Sequence, residues 1–387
     1  MKRLNILVIP SWYPNKKDPL WGNYFIKQAE ALNEYADVSM LYINRVGLKE
    51  INNFNIEKKK DGYYDKKHKF KFYKKTILNY KSLSVEYSFK RYAKAAYTAY
   101  KSLILYTGKP DIILVESVLP AGLAAKYISD KENIPFVVHA HSENVMNNPI
   151  YKKYVDEIIK SADNYMAVNK KLINMITSRG RNKCELIPNF INCKKFDVES
   201  KKKDKNFKLL SISNFYKVKD LGLLLKSMAI ILKDKKNKNV HLDIVGTGEY
   251  KDYYMALANS LNLNNNVSFL GYIENDKMPK IISNSDVICV SSTMETFCIP
   301  IIEAFSSGKP VISTACDGPL EIINKNNGII VPIGDTTAYA NAILDIKKGY
   351  KKYNSNNIKK WVISRYDKEI VCKKIIKICN ETIRAMK

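Results

Sequence analysis

The sequence predicts an α/β protein built from two Rossmann-like, doubly wound parallel-sheet domains. Three observations carry that prediction. Short β-branched runs alternate with longer stretches of helical apolar spacing, the βαβ rhythm of a parallel sheet. The rhythm runs through the chain twice, with a polar, lysine-rich interval between the two series. The length, 387 residues, suits two domains of ~100–200 residues each.

In the first series the strands read Leu4–Ile9, Val38–Ile43, Asp111–Val115, Pro135–His139, Tyr165–Val168 and Glu185–Pro188. A charged stretch from Glu57 to Lys75, holding nine lysines, interrupts this series. Within it Lys69-Phe70-Lys71-Phe72-Tyr73-Lys74 alternates as a half-buried strand with a basic outer face would. Val85–Leu105 has the spacing of a tyrosine-rich amphipathic helix. The polar run Glu199–Asn206 shows no apolar period, which marks a domain boundary. Residues 1–198 and 199–360 are therefore expected to form the two domains.

The second series is cleaner. Its strands read Leu209–Ser213, Val240–Val245, Val267–Leu270, Val287–Val290, Val311–Ser313 and Gly328–Val331, with helices over Leu221–Asp234 and Tyr250–Leu261. The end of the chain, Lys359–Lys387, has the spacing of one or two helices. Residues 361–387 are expected to pack back toward the first domain.

Composition narrows the function classes. A hydrophobic content of 46% is ordinary for globular cores. No stretch approaches the ~18 apolar residues of a membrane span. The apolar start of the chain ends in Pro10-Ser11-Trp12-Tyr13-Pro14 without a small-residue cleavage site, so it reads as a first strand rather than a signal peptide. Seven cysteines form no CxxC pair, and with no export signal a reduced, cytoplasmic protein is expected. His139 and His141 alternate and would share a strand face, but no third ligand lies near them in sequence; no metal site is expected. The net charge is +26, and residues 1–196 carry 34 Lys+Arg against 18 Asp+Glu, a difference of +16. Such an excess points to an anionic neighbour (nucleic acid, an acidic membrane face or phosphorylated substrates) or to solvated surface lysines. Neither GxGxxG nor GxxxxGK[ST] is present, which argues against dinucleotide-dehydrogenase and P-loop chemistry.

The chemistry is written most plainly in the segment from Ser291 to Ala304. A strand ends, a loop follows, and a helix begins near Pro300, a residue suited to a first helical turn. Ligands of open α/β sheets bind at this carboxyl edge, and free N–H groups at a helix start attract oxygen-rich or anionic groups. Glu295 before the helix and Glu303 in its first turn would accept bonds from vicinal hydroxyls, as a sugar or a ribose presents them.

This segment resembles the E-x7-E motif of the retaining glycosyltransferase family 4, whose two lobes form the GT-B fold and face each other across a cleft. Ile212-Ser213-Asn214-Phe215-Tyr216-Lys217-Val218-Lys219-Asp220 resembles the family's phosphate-binding segment. Val245-Gly246-Thr247-Gly248-Glu249 is similar to its glycine turn, and Val267-Ser268-Phe269-Leu270-Gly271-Tyr272 to its V-x-F-x-G strand. Gly308-Lys309-Pro310-Val311, Asp317-Gly318-Pro319-Leu320-Glu321-Ile322 and Ile187-Pro188-Asn189-Phe190-Ile191-Asn192 match further motifs in order. So do Trp12-Tyr13-Pro14, Gly22 and Gln28–Leu32 near the start. The ordered series, from about residue 8 to 335, is far more specific than a lone E-x7-E. Four positions depart from the pattern: Asn214 replaces a usual arginine, Thr296 and Cys298 stand where glycine is frequent, and Ser142 follows His141 in place of glycine.

The resemblance implies a role for each position. Glu295 would bind the donor sugar's hydroxyls and Glu303 the ribose. Amides around Thr296, Phe297, Cys298 and Ile299 would hold the sugar. Lys219, with Asn214 beside it, would neutralise the diphosphate, and His141 would touch the sugar from the first lobe. Gly22 would let the first loop approach the phosphates, and Gly246 and Tyr272 would border the nucleobase. The implied activity is retaining sugar transfer from a nucleotide-diphosphate sugar, the co-substrate, to a glycan or lipid-linked acceptor in cell-surface polysaccharide or glycolipid synthesis. No cofactor or metal is implied: D-x-D is absent from the sequence, and cationic side chains would do the work of a divalent ion. An anionic membrane surface is a further expected partner; nucleic acid is not. The competing readings are a sugar-nucleotide epimerase or hydrolase of the same fold and a non-catalytic basic protein that binds polyanions.

Overall fold

The computed structural model describes residues 3–15, 21–47, 51–64, 68–79, 84–199 and 206–386. They divide into two compact units, Met1–Ile187 with Val371–Lys387, and Pro188–Ile370. The expected boundary at 198/199 is displaced: most of the polar run Glu199–Asn206 lies outside the described residues, and the units part at Ile187/Pro188. The reason is packing. Beyond Pro188 the chain is already committed to the second unit, where Cys193 and Phe196 are buried and the Ser307 hydroxyl donates to the Phe196 carbonyl at 3.3 Å.

Unit 1 holds strands β1 (Asn5–Pro10), β2 (Asp37–Gly47), β3 (Gly62–Tyr64), β4 (Lys71–Asn79), β5 (Ile112–Glu116), β6 (Phe136–Ala140), β7 (Asn164–Ala167) and β8 (Glu185–Leu186). They lie in the order β3-β4-β2-β1-β5-β6-β7-β8, parallel except for β3 against β4. The helices are α1 (Asn23–Leu32), α2 (Ile51–Lys58), α3 (Val85–Thr107), α4 (Ala121–Glu132), α5 (Lys152–Ser161) and α6 (Lys170–Thr177). Chain order reverses between β1 and β5, so the carboxyl edge of those two strands is the topological switch point where α/β sheets take ligands.

The described part of the lysine-rich stretch Glu57–Lys75 holds the end of α2, β3 and the start of β4, and its alternation is real but its basic face is not uniform. Phe72, Lys74 and Thr76 all point to the buried side. Lys74 is tolerated there because Glu57 of α2 meets its ammonium at 2.5 Å; a buried charge needs such a partner.

Unit 2 holds β9 (Phe207–Ile212), β10 (Val240–Val245), β11 (Val267–Gly271), β12 (Val287–Val290), β13 (Val311–Thr314) and β14 (Gly328–Val331), within two residues of the expected spans. The order is β11-β10-β9-β12-β13-β14, all parallel, with the switch point between β9 and β12. The helices are α7 (Leu221–Leu232), α8 (Lys251–Ser260), α9 (Met278–Ser283), α10 (Ile299–Ser306), α11 (Asp317–Ile322), α12 (Thr336–Lys348) and α13 (Ser355–Tyr366). Tyr339 of α12 is fully buried, and its hydroxyl donates to the carbonyls of Ile312 and Val290 at 3.0 and 3.2 Å, bracing β12 against β13.

The last helix, α14 (Lys368–Ala385), returns to unit 1 from Val371 onward. There it buries Val371, Cys372, Ile375, Ile378 and Cys379. The interval 361–387 is thus divided, since α13 belongs to unit 2. All seven cysteines are free thiols. Among the described residues no helix is long and apolar enough to cross a membrane.

Candidate active site

The loops leaving β9 and β12 meet at the switch point of unit 2. Lys219 ends a 3-10 turn, Lys217–Lys219, between β9 and α7, and the Asp220 carboxylate caps α7 by accepting from the Leu223 N–H at 3.2 Å. Thr293 of the opposite loop donates its N–H to the Val218 carbonyl at 2.8 Å, and the Ser291 hydroxyl donates to the Lys219 carbonyl at 2.9 Å. These bonds lock the two loops together. Across the junction the Lys219 ammonium donates to Glu295 Oε1 at 2.7 Å, and the Ser292 hydroxyl donates to the same oxygen at 2.7 Å. Burial on its own would depress the Lys219 ammonium, but the charge and hydrogen bond of Glu295 outweigh it, and the pKa is raised. Lys219 is a fixed cation.

The Glu295 loop is held from behind. Thr314 Oγ1 and the Cys316 thiol both donate to the Ser292 carbonyl, at 2.5 and 3.0 Å, and the Gly318 N–H donates to the Glu295 carbonyl at 3.0 Å. Cys298 caps α10 with a left-handed φ of 76° and no side-chain cap bond, so the backbone follows the path that glycine usually permits at the cost of some strain. Its buried thiol is pushed well above the ordinary range, first by burial and then by the charge of Glu295; it is no nucleophile. Phe297 turns its ring into the core against Tyr366, centroids 5.8 Å apart, leaving only its backbone for a ligand. Thr296 and Ile299 are half-buried on either side. One correction concerns Glu303: it lies in the second turn of α10, half-buried, because the helix starts at Ile299.

The remaining candidates follow the same sheet edge outward. Asn214, half-buried, sits in the loop after β9, and its carbonyl accepts the Tyr216 N–H at 2.9 Å. Gly246, at φ 135°, packs so closely that a Cβ would stand 1.8 Å from the Ser213 carbonyl oxygen. Its N–H donates to the Gly271 carbonyl at 2.9 Å, next to the 57% exposed Tyr272. Loops carrying Asn214, Gly246, Tyr272, Lys219 and Glu295 therefore share one carboxyl edge.

In unit 1 the switch point carries a second polar group, buried. Glu116 ends β5 and is fully buried. Its Oε1 accepts from Gln28 Nε2 of α1 at 2.5 Å, and its Oε2 lies 2.6 Å from His141 Nε2, just past β6. His139 Nε2 faces the Ile187 carbonyl at 2.9 Å and therefore carries a proton, which leaves Nδ1 as a lone pair 3.8 Å from Glu116 Oε2. Burial pushes Glu116 up to about 7. Burial, then the charge of His141, takes His139 down to about 3. The ligand atoms of Glu116, His139 and His141 lie within 4.8 Å of one another. Two ligands about 2.1 Å from a tetrahedral ion sit roughly 3.4 Å apart, so the 2.6 Å contact is a hydrogen bond and not a spread ligand pair. Gly22 caps α1 in the left-handed region (φ 77°), where a Cβ would meet the Trp12 carbonyl oxygen at 2.8 Å; what demands glycine there is Trp12.

Sequence reasoning missed Ser291, Ser292, Thr314, Gln28 and Glu116. Serines and threonines carry no pattern in a loop or, like Thr314, at the end of a strand. Glu116 did leave a signal, a carboxylate closing an otherwise apolar strand.

Two family models match consecutive parts of the chain: "Glycosyltransferase Family 4" over residues 61–195 and "Glycosyl transferases group 1" over residues 193–361. The chain belongs to glycosyltransferase family 4. N-acetyl-alpha-D-glucosaminyl L-malate synthase of Bacillus anthracis is 27% identical over 254 residues, 62% of this chain and 65% of that enzyme. Sucrose-phosphate synthase from Thermosynechococcus elongatus superposes with a TM-score of 0.76 at 18% identity, over 99% of this chain and 100% of that one. Anabaena HepE, solved with UDP, gives 0.73 at 18% identity over 98% and 100%. The fold of this family 4 member is thus of the GT-B type. The chain spans 57 to 65% of the length of the curated relatives it matches first.

Proposed function

We propose that the chain is a retaining glycosyltransferase that takes a sugar from a nucleotide-diphosphate sugar and passes it to a glycan or lipid-linked acceptor in cell-surface polysaccharide or glycolipid synthesis. The observation that carries this reading is the Lys219–Glu295 pair, 2.7 Å apart at the switch point of unit 2. A cation and a carboxylate at the start of α10 suit the two ends of a donor: charged diphosphate and neutral, hydroxyl-rich sugar.

In this reading Lys219, with Asn214 near it, holds the diphosphate, and the free N–H groups of Phe297 to Ile299 support the sugar. Glu295 accepts from sugar hydroxyls and Glu303 from the ribose. Gly246 and Tyr272 border the base, Gly22 shapes the first loop of unit 1, and His141 accepts a hydrogen bond from a sugar hydroxyl. As the C1–oxygen bond to phosphate breaks, negative charge gathers on the leaving group, where a fixed cation stabilises most. The leaving phosphate oxygen takes the proton of the acceptor hydroxyl as the new C1–oxygen bond forms on the same face. Lys219 and the start of α10 serve where a divalent ion serves in D-x-D enzymes. Since HepE was solved with UDP, a UDP-sugar is the first donor to try.

Purified protein is to be screened against nucleotide sugars by thermal shift and by slow donor hydrolysis. At least one donor should raise the melting temperature by ~2–4 °C and be consumed, faster with acceptor. No stabilisation by any donor would defeat the reading, and consumption indifferent to every acceptor would point to an epimerase or hydrolase.

We also propose peripheral binding to anionic lipid. The supporting feature is α3, whose outer side exposes Tyr87, Lys90, Lys94, Lys101 and Leu105. Each basic residue near an acidic leaflet contributes ~1 kcal/mol. Sedimentation with phosphatidylserine vesicles should be strong at low salt and weak at high salt. No binding at low salt ends this idea.

A further inference from the structure

We propose that Glu116 is a positioning residue for His141: its carboxylate accepts from His141 Nε2 and fixes the imidazole in one orientation and one tautomer. The inference rests on the reading of His141 as a substrate contact. Its own support is geometric. Glu116 is sealed from solvent at the end of β5, its Oε1 pinned by Gln28 and its Oε2 directed at His141. The imidazole is also confined by Phe25, centroids 5.0 Å apart, and by His139 at 4.2 Å.

The alternative partner for the carboxylate is ruled out by direction. His139 spends its proton on the Ile187 carbonyl and turns a lone pair toward Glu116. Two acceptors cannot bond to each other, so while Glu116 is a carboxylate the proton between it and the imidazole comes from His141. The titratable groups facing Glu116 are His139 and His141 of the β6 end and Cys379 of α14, whose thiol burial pushes up to about 12. That thiol brings no charge. Above pH ~7 the Glu116 carboxylate holds Nε2–H; as pH falls through about 7 Glu116, raised by burial, takes up a proton, ceases to be a pure acceptor, and the fixed tautomer is lost.

The test combines ring-nitrogen NMR of the histidines in unliganded protein with kinetics of parent, Glu116→Gln and Glu116→Ala. The parent should show His141 as the Nε2–H tautomer at pH 8. Glu116→Ala should give mixed tautomers and a kcat lower by ~10–100-fold with donor KM little changed. Glu116→Gln keeps an acceptor oxygen, so it should restore most of kcat and erase the acid limb near pH 7. An unchanged His141 tautomer in Glu116→Ala overturns the proposal. So does zinc added alone, if it shifts the His139 and His141 resonances together and raises the melting temperature, because the trio is then a metal site. Full activity in His141→Ala would instead sink the substrate role of His141, and the tautomer result would still stand by itself.

Discussion

Replacing Lys219 by alanine is expected to lower sugar transfer by ~10²–10³-fold at saturating donor, with the melting temperature close to that of the parent. The expectation separates catalysis from folding on the observed contacts. Lys219 keeps 24% of its side chain exposed, and Glu295 retains the Ser292 hydroxyl at 2.7 Å when the ammonium is gone. Removing a partner from a sealed ion pair would cost ~3–5 kcal/mol, but water can reach this one, and the loss of stability should be small. In the reaction no water molecule substitutes well, because a pre-placed charge is replaced by one that must reorganise. Glu295→Ala should be similarly inactive, for a different reason: it loses the acceptor for the sugar hydroxyls and leaves Lys219 unbalanced. Steady-state rates with the donor found by screening, alongside melting curves, check both. Activity above about a tenth of the parent in either variant means that the diphosphate and sugar bind elsewhere.

Gly246→Ala should be the most damaging small substitution in unit 2, with a loss of about 4 kcal/mol or more. A methyl group there would sit 1.8 Å from the Ser213 carbonyl oxygen and 2.9 Å from its carbon, and both are backbone. The residue's φ of 135° adds a strain that side-chain-bearing residues rarely accept. Relief requires moving Ser213–Phe215, the segment that leads into the Lys219 turn, so donor binding should fall even in protein that remains folded. Thermal denaturation and donor-induced stabilisation measure the two effects separately. A variant melting within about 2 °C of the parent would show that the turn is far softer than its packing implies.

What the sequence disclosed follows from what has a period. A fully buried parallel strand such as Val287–Val290 is an apolar run bounded by polar residues, while Val240–Val245 alternates, with His241 and Asp243 half-buried; in both the observed limits agree with the sequence pattern. β2 proved longer than its apolar stretch, reaching Gly47, because β4 pairs with it as far as Asn79; strand length there is set by a neighbour distant in sequence. The meeting of Lys219 and Glu295, 76 positions apart, was legible only through motif order. The partners that hold them, Ser291, Ser292 and Thr314, were not legible, since a hydroxyl's role depends on which carbonyl or carboxylate folding brings near. Glu116 was visible only as a carboxylate closing an apolar strand; its meaning comes from Gln28 and His141, on different elements.

The return of α14 to unit 1 gives the chain an interrupted first unit. The covalent path enters the second unit after Ile187 and leaves it near Val371. Entry and exit are stitched side by side: the Ile191 N–H donates to the Tyr366 carbonyl at 3.1 Å, and the Ile191 carbonyl accepts the Lys368 N–H at 2.8 Å. Residues 188–370 thus behave as a cassette whose two ends coincide, spliced into a host sequence. Shortening the protein from its carboxyl terminus would strip the host of Cys372 and Ile375 before it touched a single strand of the cassette.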